Sequence, residues 1–153
     1  MKVEFINPFL ESIVHVLETM ANVKAIPGKP QRKEEDFANG DVTGVIGMAS
    51  DQLKGSLAIT FTTAAIFDIA RRMLGEEVTV VNSTVTDLVG EITNMVTGGA
   101  KRVLAEQGYD FDMAIPAVVA GKNHRITHKS NGLKIIVPFS IIAGKFYVEV
   151  CFE

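Results

Sequence analysis

The sequence has very little cysteine and no excess of positive charge, and both deficits exclude classes of protein. Cys151 is the single cysteine among 153 residues, so an internal disulfide cannot form. That usage suits a reducing compartment, and we expect Cys151 to lie buried in a strand. With 15 basic and 18 acidic residues the net charge is −3, so the basic surface of a nucleic-acid binder is missing. We therefore expect no nucleic-acid partner.

Long apolar runs are also missing. No uncharged apolar stretch approaches the ~18 residues that a membrane-spanning helix needs. Residues 1–5 do not begin a secretory signal, which would pair a basic region with an apolar core. We therefore expect a cytoplasmic protein that is not inserted in a membrane.

What is present is the composition of an ordinary globular protein, with 47% hydrophobic and 22% charged residues. A length of 153 residues fits one domain. The longest loop-like segment, 26–36, is too short to separate two domains, and the mixed charges of Arg32–Asp36 are typical of a solvated loop or an edge strand. We predict a single domain over residues 1–153.

The first half of the sequence predicts a helix followed by a β-hairpin. Asn7 and Pro8 are a good helix start, and apolar residues then repeat at helical spacing to about Asn22. Two β-rich runs, 42–50 and 53–62, are close in sequence and alternate in polarity, which predicts a hairpin. The glycines in these runs indicate bulges or places where another element packs closely.

A second helix and a set of strands complete the predicted fold. Thr63 is the predicted N-cap of a helix over 64–74, which Gly75 ends. After a third helix, the last third of the chain predicts strands at 113–120, 133–140 and 145–152. Because helices and strands are grouped rather than alternating, we predict an α+β fold, an antiparallel-rich sheet with helices packed on one face.

The third helix, predicted from Thr84 to about Gln107, separates polar from apolar residues. At about 100° per residue, one narrow arc holds two acids, a carboxamide and a glycine. These are Asp87, Glu91, Asn94 and Gly98. The roughly opposite side holds Val85, Leu88, Ile92, Met95, Gly99 and Val103. One face should dock on the core, and the other should be presented to solvent.

Only part of the presented face has a local explanation. Thr84 and Asp87 fit the spacing of a capping box, with Thr84 as the N-cap. Asn94 and the three glycines of the helix have no such explanation, since Asn is a mediocre helix former and each Gly costs about 1 kcal/mol relative to Ala. A helix of this composition is not optimised for its own stability, and its small residues fit the close approach either of a partner or of a neighbouring backbone.

The spacing Asp87-x-x-x-Glu91-x-x-Asn94, with Pro116 a further 22 positions on, resembles the signature of the CheC/CheX/FliY phosphatases. The stretch from Glu91 to Ala100 is similar to CheX-type members almost residue for residue. CheC-type members commonly carry two Glu-x-x-Asn helices, whereas the helix over 64–74 has no such motif. The sequence is therefore identified as a CheX-like member of this family, with a CheC-like fold.

The resemblance implies an activity, a partner and a set of site residues. The family hydrolyses the aspartyl phosphate on the receiver domain of the response regulator CheY. By matching position, the expected catalytic residues are Asn94, which would hold the attacking water, and Glu91, which would pair with the receiver's active-site Lys. The expected substrate-binding residues are Asp87, Glu91, Gly98 and Pro116. We expect Mg²⁺ in the receiver, no cofactor in this chain, and a homodimer formed through the sheet.

Other interpretations of the sequence have weaker support or remain open. His124 and His128 are four residues apart, but their neighbours favour strand and turn, so we expect no metal site there. Motifs of serine hydrolases and nucleotide-binding loops are not evident. A non-catalytic module that binds or scaffolds a receiver remains an alternative, as does a structural sheet-dimer unit without a receiver partner.

Overall fold

The computed structural model describes residues 3–51, 53–128 and 130–153, and these form three helices and eight strands. In chain order they are α1 (Val3–Ala21), β1 (Ile26–Pro27), β2 (Gln31–Arg32), β3 (Val42–Ala49), β4 (Lys54–Phe61), α2 (Thr63–Leu74), α3 (Ser83–Glu106), β5 (Asp112–Met113), β6 (Ala117–Ala120), β7 (Leu133–Ile141) and β8 (Gly144–Phe152). Among the described residues, no helix is both long and apolar enough to cross a bilayer.

All eight strands belong to one antiparallel sheet. The strand order is β1-β7-β8-β4-β3-β5, with β2 also paired to β7 and β6 also paired to β3. The predicted hairpin is confirmed, since β3 and β4 pair from Val42↔Phe61 to Ala49↔Lys54. The three helices pack with one face of this sheet in a common apolar core, so the predicted α+β fold is confirmed.

Strand alternation divides the sheet into a helix face and an outer face. On the helix face, apolar side chains of the four longest strands join the core with the helices; among them are Ile46, Ile59, Val137 and Val148. The intervening positions point to the outer face. They include Thr43, Ser56 and Glu149, which are buried polar residues.

Helix α1 begins earlier than predicted, at Val3 rather than at Asn7, and Pro8 lies inside it. Proline removes one helical hydrogen bond, but the extra turn buries an aromatic side chain. The ring of Phe5 lies 4.7 Å from that of Tyr109 and 5.5 Å from that of Phe152. Tertiary packing therefore extends the helix beyond its local start signal.

The start of α2 and one predicted strand also differ slightly from prediction. Helix α2 is capped by Thr62 rather than Thr63, since the Thr62 side chain accepts from the backbone N–H of Ala65. Gly75 ends α2 in the left-handed conformation, with φ of 72°, as predicted. The predicted strand over 113–120 is divided into β5 and β6, because Pro116 and its neighbours leave the ladder between them.

The segment predicted to be a solvated loop or an edge strand contains two short strands and a buried ion pair. Strands β1 and β2 both pair with β7. Lys33, directly after β2, is buried and donates to Glu149 on the outer face, with Nζ 2.6 Å from Oε2. The prediction of solvated charges was wrong for Lys33, because a carboxylate 116 positions away provides its partner.

Two histidines contact the buried polar residues of the outer face, and each has different partners. His128 bridges Glu149 and Ser56, with Nε2 3.1 Å from the carboxylate. Burial, the strongest influence, raises the pKa of Glu149, but the hydrogen bonds from His128 and Lys33 outweigh it and the pKa lies below its usual value. His124 instead contacts Thr43, so the two rings do not share a site.

Helix α3 approaches β3 closely at Gly44, and this contact positions the candidate site. A Cβ atom on Gly44 would lie 2.1 Å from Oγ1 of Thr93 and 3.3 Å from Cγ1 of Val89. Only glycine leaves room for α3 at this height above the sheet. The prediction that the hairpin glycines mark close packing holds for this position.

Replacement of Gly44 by Ala is expected to lower the free energy of unfolding by about 1–3 kcal/mol, because the added methyl group overlaps Thr93. Urea denaturation followed by circular dichroism measures the loss. The double variant Gly44→Ala/Thr93→Ala removes the overlapping hydroxyl and should be less destabilised than the two single losses summed. Additive losses would show that the two residues are not in contact.

Candidate functional site

The motif helix is capped two residues earlier than predicted. Asn82 is the N-cap of α3, and its side-chain oxygen accepts from the backbone N–H of Val85 at 3.2 Å. The predicted capping box of Thr84 and Asp87 was therefore wrong. Asp87 lies more than one turn inside the helix, so capping no longer accounts for its presence.

The predicted presented face is exposed in the structure. Asp87, Glu91, Asn94 and Gly98 all lie on the solvent side of α3, and we call this set the presented stripe. The set of buried residues differs from the predicted set, because the buried side is rotated about the helix axis. It consists of Val85, Leu88, Val89, Ile92, Thr93, Val96, Thr97, Ala100 and Leu104. Met95, Gly99 and Val103, which were predicted to dock, are half-buried beside α1 instead.

Hydrogen bonds and close contacts fix the rotation of α3 about its axis. Thr93 and Thr97 are fully buried, and each donates to the carbonyl oxygen four residues earlier at 2.7 Å. On the α1 side, Ser12 donates to the carbonyl of Val96 at 2.7 Å. A Cβ on Gly99 would lie 2.4 Å from the Ser12 hydroxyl oxygen, so this helix crossing requires glycine.

Strand β6 flanks the opposite side of α3. A Cβ on Gly90 would lie 3.5 Å from Cγ2 of Val118, an ordinary contact distance. Helix α3 and β3 run in the same direction, because the chain leaving α3 forms β5 at the far end of β3. Strand β6 is antiparallel to β3, so it runs against α3.

Pro116 lies between β5 and β6, one residue before β6 begins, and it is half-buried. Val118, two residues later, is the β6 residue that a Cβ on Gly90 would contact. Pro116 therefore belongs to the chain segment that leads into the strand flanking α3.

The polar groups of the presented stripe have no partners within the described part of the chain. The side chains of Asp87, Glu91 and Asn94 make no hydrogen bond or ion pair there, although each is anchored on a rigid helix. Among the described residues, no group of three His, Cys, Asp or Glu side chains is placed to hold a metal ion. The surface therefore offers two carboxylates and an amide to an external partner.

The presented stripe lies on the exposed side of one helix. An exposed helix face can present an amide and a carboxylate to another protein, whereas it cannot enclose a small substrate by itself. Sequence reasoning identified the stripe but missed the contacts that aim it, which are those of Thr93 with Gly44 and Ser12 with Gly99. The isolated glycines were the available signal for both contacts.

Replacement of Asn82 by Ala is expected to cost about 1 kcal/mol of stability, because the N–H of Val85 loses its acceptor. The matched variant Thr84→Ala should change stability by only a few tenths of a kcal/mol, since Thr84 is not the cap. Thermal unfolding of the two variants measures the difference. Equal losses of stability, or a larger loss for Thr84→Ala, would instead indicate that Thr84 caps the helix.

A family match, a sequence relative and solved structures all relate the chain to one family. Residues 42–140 match the family described as "Chemotaxis phosphatase CheX". A CheC-like superfamily protein from Shewanella sp. PV-4 is 59% identical, with a TM-score of 0.94 over 100% of this chain and 99% of that one.

Two more distant relatives carry functional descriptions of their own. The CheY-P phosphatase CheX of Thermotoga maritima is 24% identical over 144 residues, which cover 94% of this chain and 91% of the relative. The CheX chain of the CheX-CheY-BeF3-Mg²⁺ complex from Borrelia burgdorferi is 26% identical, with a TM-score of 0.82 and 99% of each chain covered. Together with the family match, these similarities establish that the chain belongs to the CheX family of chemotaxis phosphatases.

Proposed function

We propose that this protein hydrolyses the aspartyl phosphate of a CheY-type receiver domain, and that the presented stripe performs the reaction. The observation that carries the proposal is the exposure of Glu91 and Asn94 on one rigid helix, with no partner among the described residues. The named activity of the Thermotoga maritima relative and the CheY complex of the Borrelia burgdorferi relative support the same substrate.

Asn94 is the proposed water-positioning residue. An acyl phosphate is already activated, so catalysis needs mainly a water held in line with the phosphorus and support for the transferring group. The amide oxygen of Asn94 can accept a hydrogen bond from that water, and the amide nitrogen can donate. Neither group titrates near neutral pH. The contact of Thr93 with Gly44 holds the backbone next to Asn94. Less conformational entropy is therefore lost when the amide enters the active site of the receiver.

Glu91 is the proposed docking residue. Its carboxylate lies just under one turn before Asn94 on the same exposed side, and it has no cation partner within the described residues. It is therefore available for a charge-assisted hydrogen bond to the active-site Lys of the receiver. Such a pair would set the register in which Asn94 meets the phosphoryl group.

The remaining motif residues are proposed to shape and extend this contact. Asp87 lies about one turn before Glu91 and adds a second acceptor, now that capping does not occupy it. Gly98 presents no side chain on the far side of Asn94, so a partner can approach the helix backbone there. Pro116, one residue before β6, has no N–H that a partner would have to satisfy. Mg²⁺ belongs to the receiver in this proposal, as the composition of the Borrelia burgdorferi complex suggests.

Replacement of Asn94 by Ala is expected to lower kcat for phosphate release from the phosphorylated receiver by about 100-fold, because the water loses its positioning group. Thermal stability should stay equal or rise, since Ala is the better helix former.

Replacement of Glu91 by Gln should raise KM for the phosphorylated receiver about tenfold. The control Glu106→Gln, at an exposed Glu near the end of the same helix, should leave both kcat and KM unchanged.

Full activity of the Asn94→Ala variant would remove the proposed role of Asn94. A second outcome separates hydrolysis from binding. If the wild-type protein formed a measurable complex with the phosphorylated receiver without accelerating phosphate release, the chain would be a receiver-binding or scaffolding module.

A homodimer formed through the sheet is the proposed quaternary structure. Strand β6 pairs with β3 on one side, and its other side has no strand partner among the described residues. This edge carries no charged side chain, and Val119 on it is 39% exposed. Sedimentation should show a species of twice 16.6 kDa for the wild type and a monomer for Val119→Lys. A wild-type monomer at micromolar concentration would contradict the proposal.

A further inference from the structure

A groove lies between α1 and α3 on the side of α3 opposite β6. The two helices are antiparallel, since Phe5 near the start of α1 contacts Tyr109 beyond the end of α3. The groove has a volume of about 440 Å³. Its floor is mostly apolar, with Val16, Met95 and Val103, and its rim carries the exposed Glu11, His15 and Arg102.

Gly98 connects this groove to the presented stripe. It is a member of the stripe and also lines the groove. A Cβ on Gly98 would meet no atom within 4 Å, whereas a Cβ on Gly99 would overlap Ser12. The packing of the chain therefore requires glycine at 99 and does not require it at 98. An exposed glycine inside a helix costs about 1 kcal/mol relative to Ala, so the fold gains nothing from Gly98.

What Gly98 provides is an opening. With no side chain at this position, the groove is continuous with the surface around Asn94, which is about 6 Å away along the helix axis. A larger side chain at this position would separate the groove from the surface around Asn94. A partner that contacts Asn94 can therefore extend over Gly98 into the groove.

The presented stripe is too small to be a complete docking surface. From Asp87 to Gly98 it is about 16 Å long, and one helix is about 10 Å wide. A specific interface buries about 800 Å² on each partner, several times this area. A receiver seated on Asn94 must cover neighbouring surface, and the groove is the concave apolar surface that continues the stripe.

Resting on the proposed receiver-phosphatase function, we propose that the α1–α3 groove is the second part of the receiver-docking surface and sets which receiver is bound. It takes an apolar side chain of the receiver within about 12 Å of Asn94 along the helix axis, a distance set by the helical rise from Asn94 to Arg102. Glu11 and Arg102 meet charged groups of opposite sign around that side chain. The groove contributes to affinity, and Asn94 contributes to the chemical step.

The test measures KM and kcat for phosphate release, and separately the Kd for a receiver held in its active form by beryllium fluoride and Mg²⁺. Glu11→Lys and Arg102→Glu should each weaken binding and raise KM about tenfold, with kcat within about twofold of wild type. The control is Glu18→Lys, an exposed Glu two turns further along α1 that does not line this groove. It should leave all three constants unchanged.

Gly98→Ala adds a readout that a structural role would not produce. The variant should unfold at a higher temperature, by roughly 2–4 °C, because Ala stabilises the helix by about 1 kcal/mol. It should nevertheless bind the activated receiver about fivefold to tenfold more weakly, because its methyl group narrows the opening.

Wild-type Kd values for Glu11→Lys, Arg102→Glu and Gly98→Ala would overturn the groove proposal, whatever happens at Asn94. A loss of affinity in Glu18→Lys equal to that in Glu11→Lys would also overturn it, since the effect of Glu11→Lys would then be one of general electrostatics. Because Kd does not depend on turnover, an active Asn94→Ala variant would remove the proposed function of Asn94 and leave the groove to be judged by binding alone.

Discussion

The close packing of α3 on β3 at Gly44 is the constraint on which the position of the presented stripe depends. Thr93 occupies the space that a side chain on Gly44 would fill, and its own hydroxyl is satisfied within the helix. The helix is thereby held at one height and one rotation above the sheet. A different rotation would bury part of the presented stripe and expose core residues of α3 in its place.

A second contact, on the α1 side, prevents the helix from turning about the first. Ser12 donates to the carbonyl of Val96, and Gly99 leaves room for it. Contacts on two sides of α3 leave Glu91 and Asn94 on the remaining, exposed side. For a reaction that depends on holding one water, this arrangement lowers the ordering cost at the moment of contact with the receiver. The fold therefore holds the stripe in one position, as the proposed role of Asn94 requires.

The sequence predicts those parts of the structure that local patterning controls. The stripe of Asp87, Glu91 and Asn94 follows from helical periodicity, and the β3–β4 hairpin follows from alternation and short separation. Parts that depend on distant residues were missed. Lys33 is buried because it donates to Glu149 on the outer face, a carboxylate that His128 also contacts, and α1 gains a turn because Phe5 packs against Tyr109. The cap of α3 was misplaced because Asn82 and Thr84 are both acceptable caps, and only the backbone geometry selects one.

The most direct test of the account is the structure of this protein bound to a receiver domain activated by beryllium fluoride and Mg²⁺. The amide of Asn94 is expected to lie within hydrogen-bonding distance, about 3 Å, of the water or fluoride at the receiver's active site. The carboxylate of Glu91 is expected to contact the receiver's active-site Lys. A complex in which the receiver binds elsewhere and leaves the presented stripe in solvent would contradict the account.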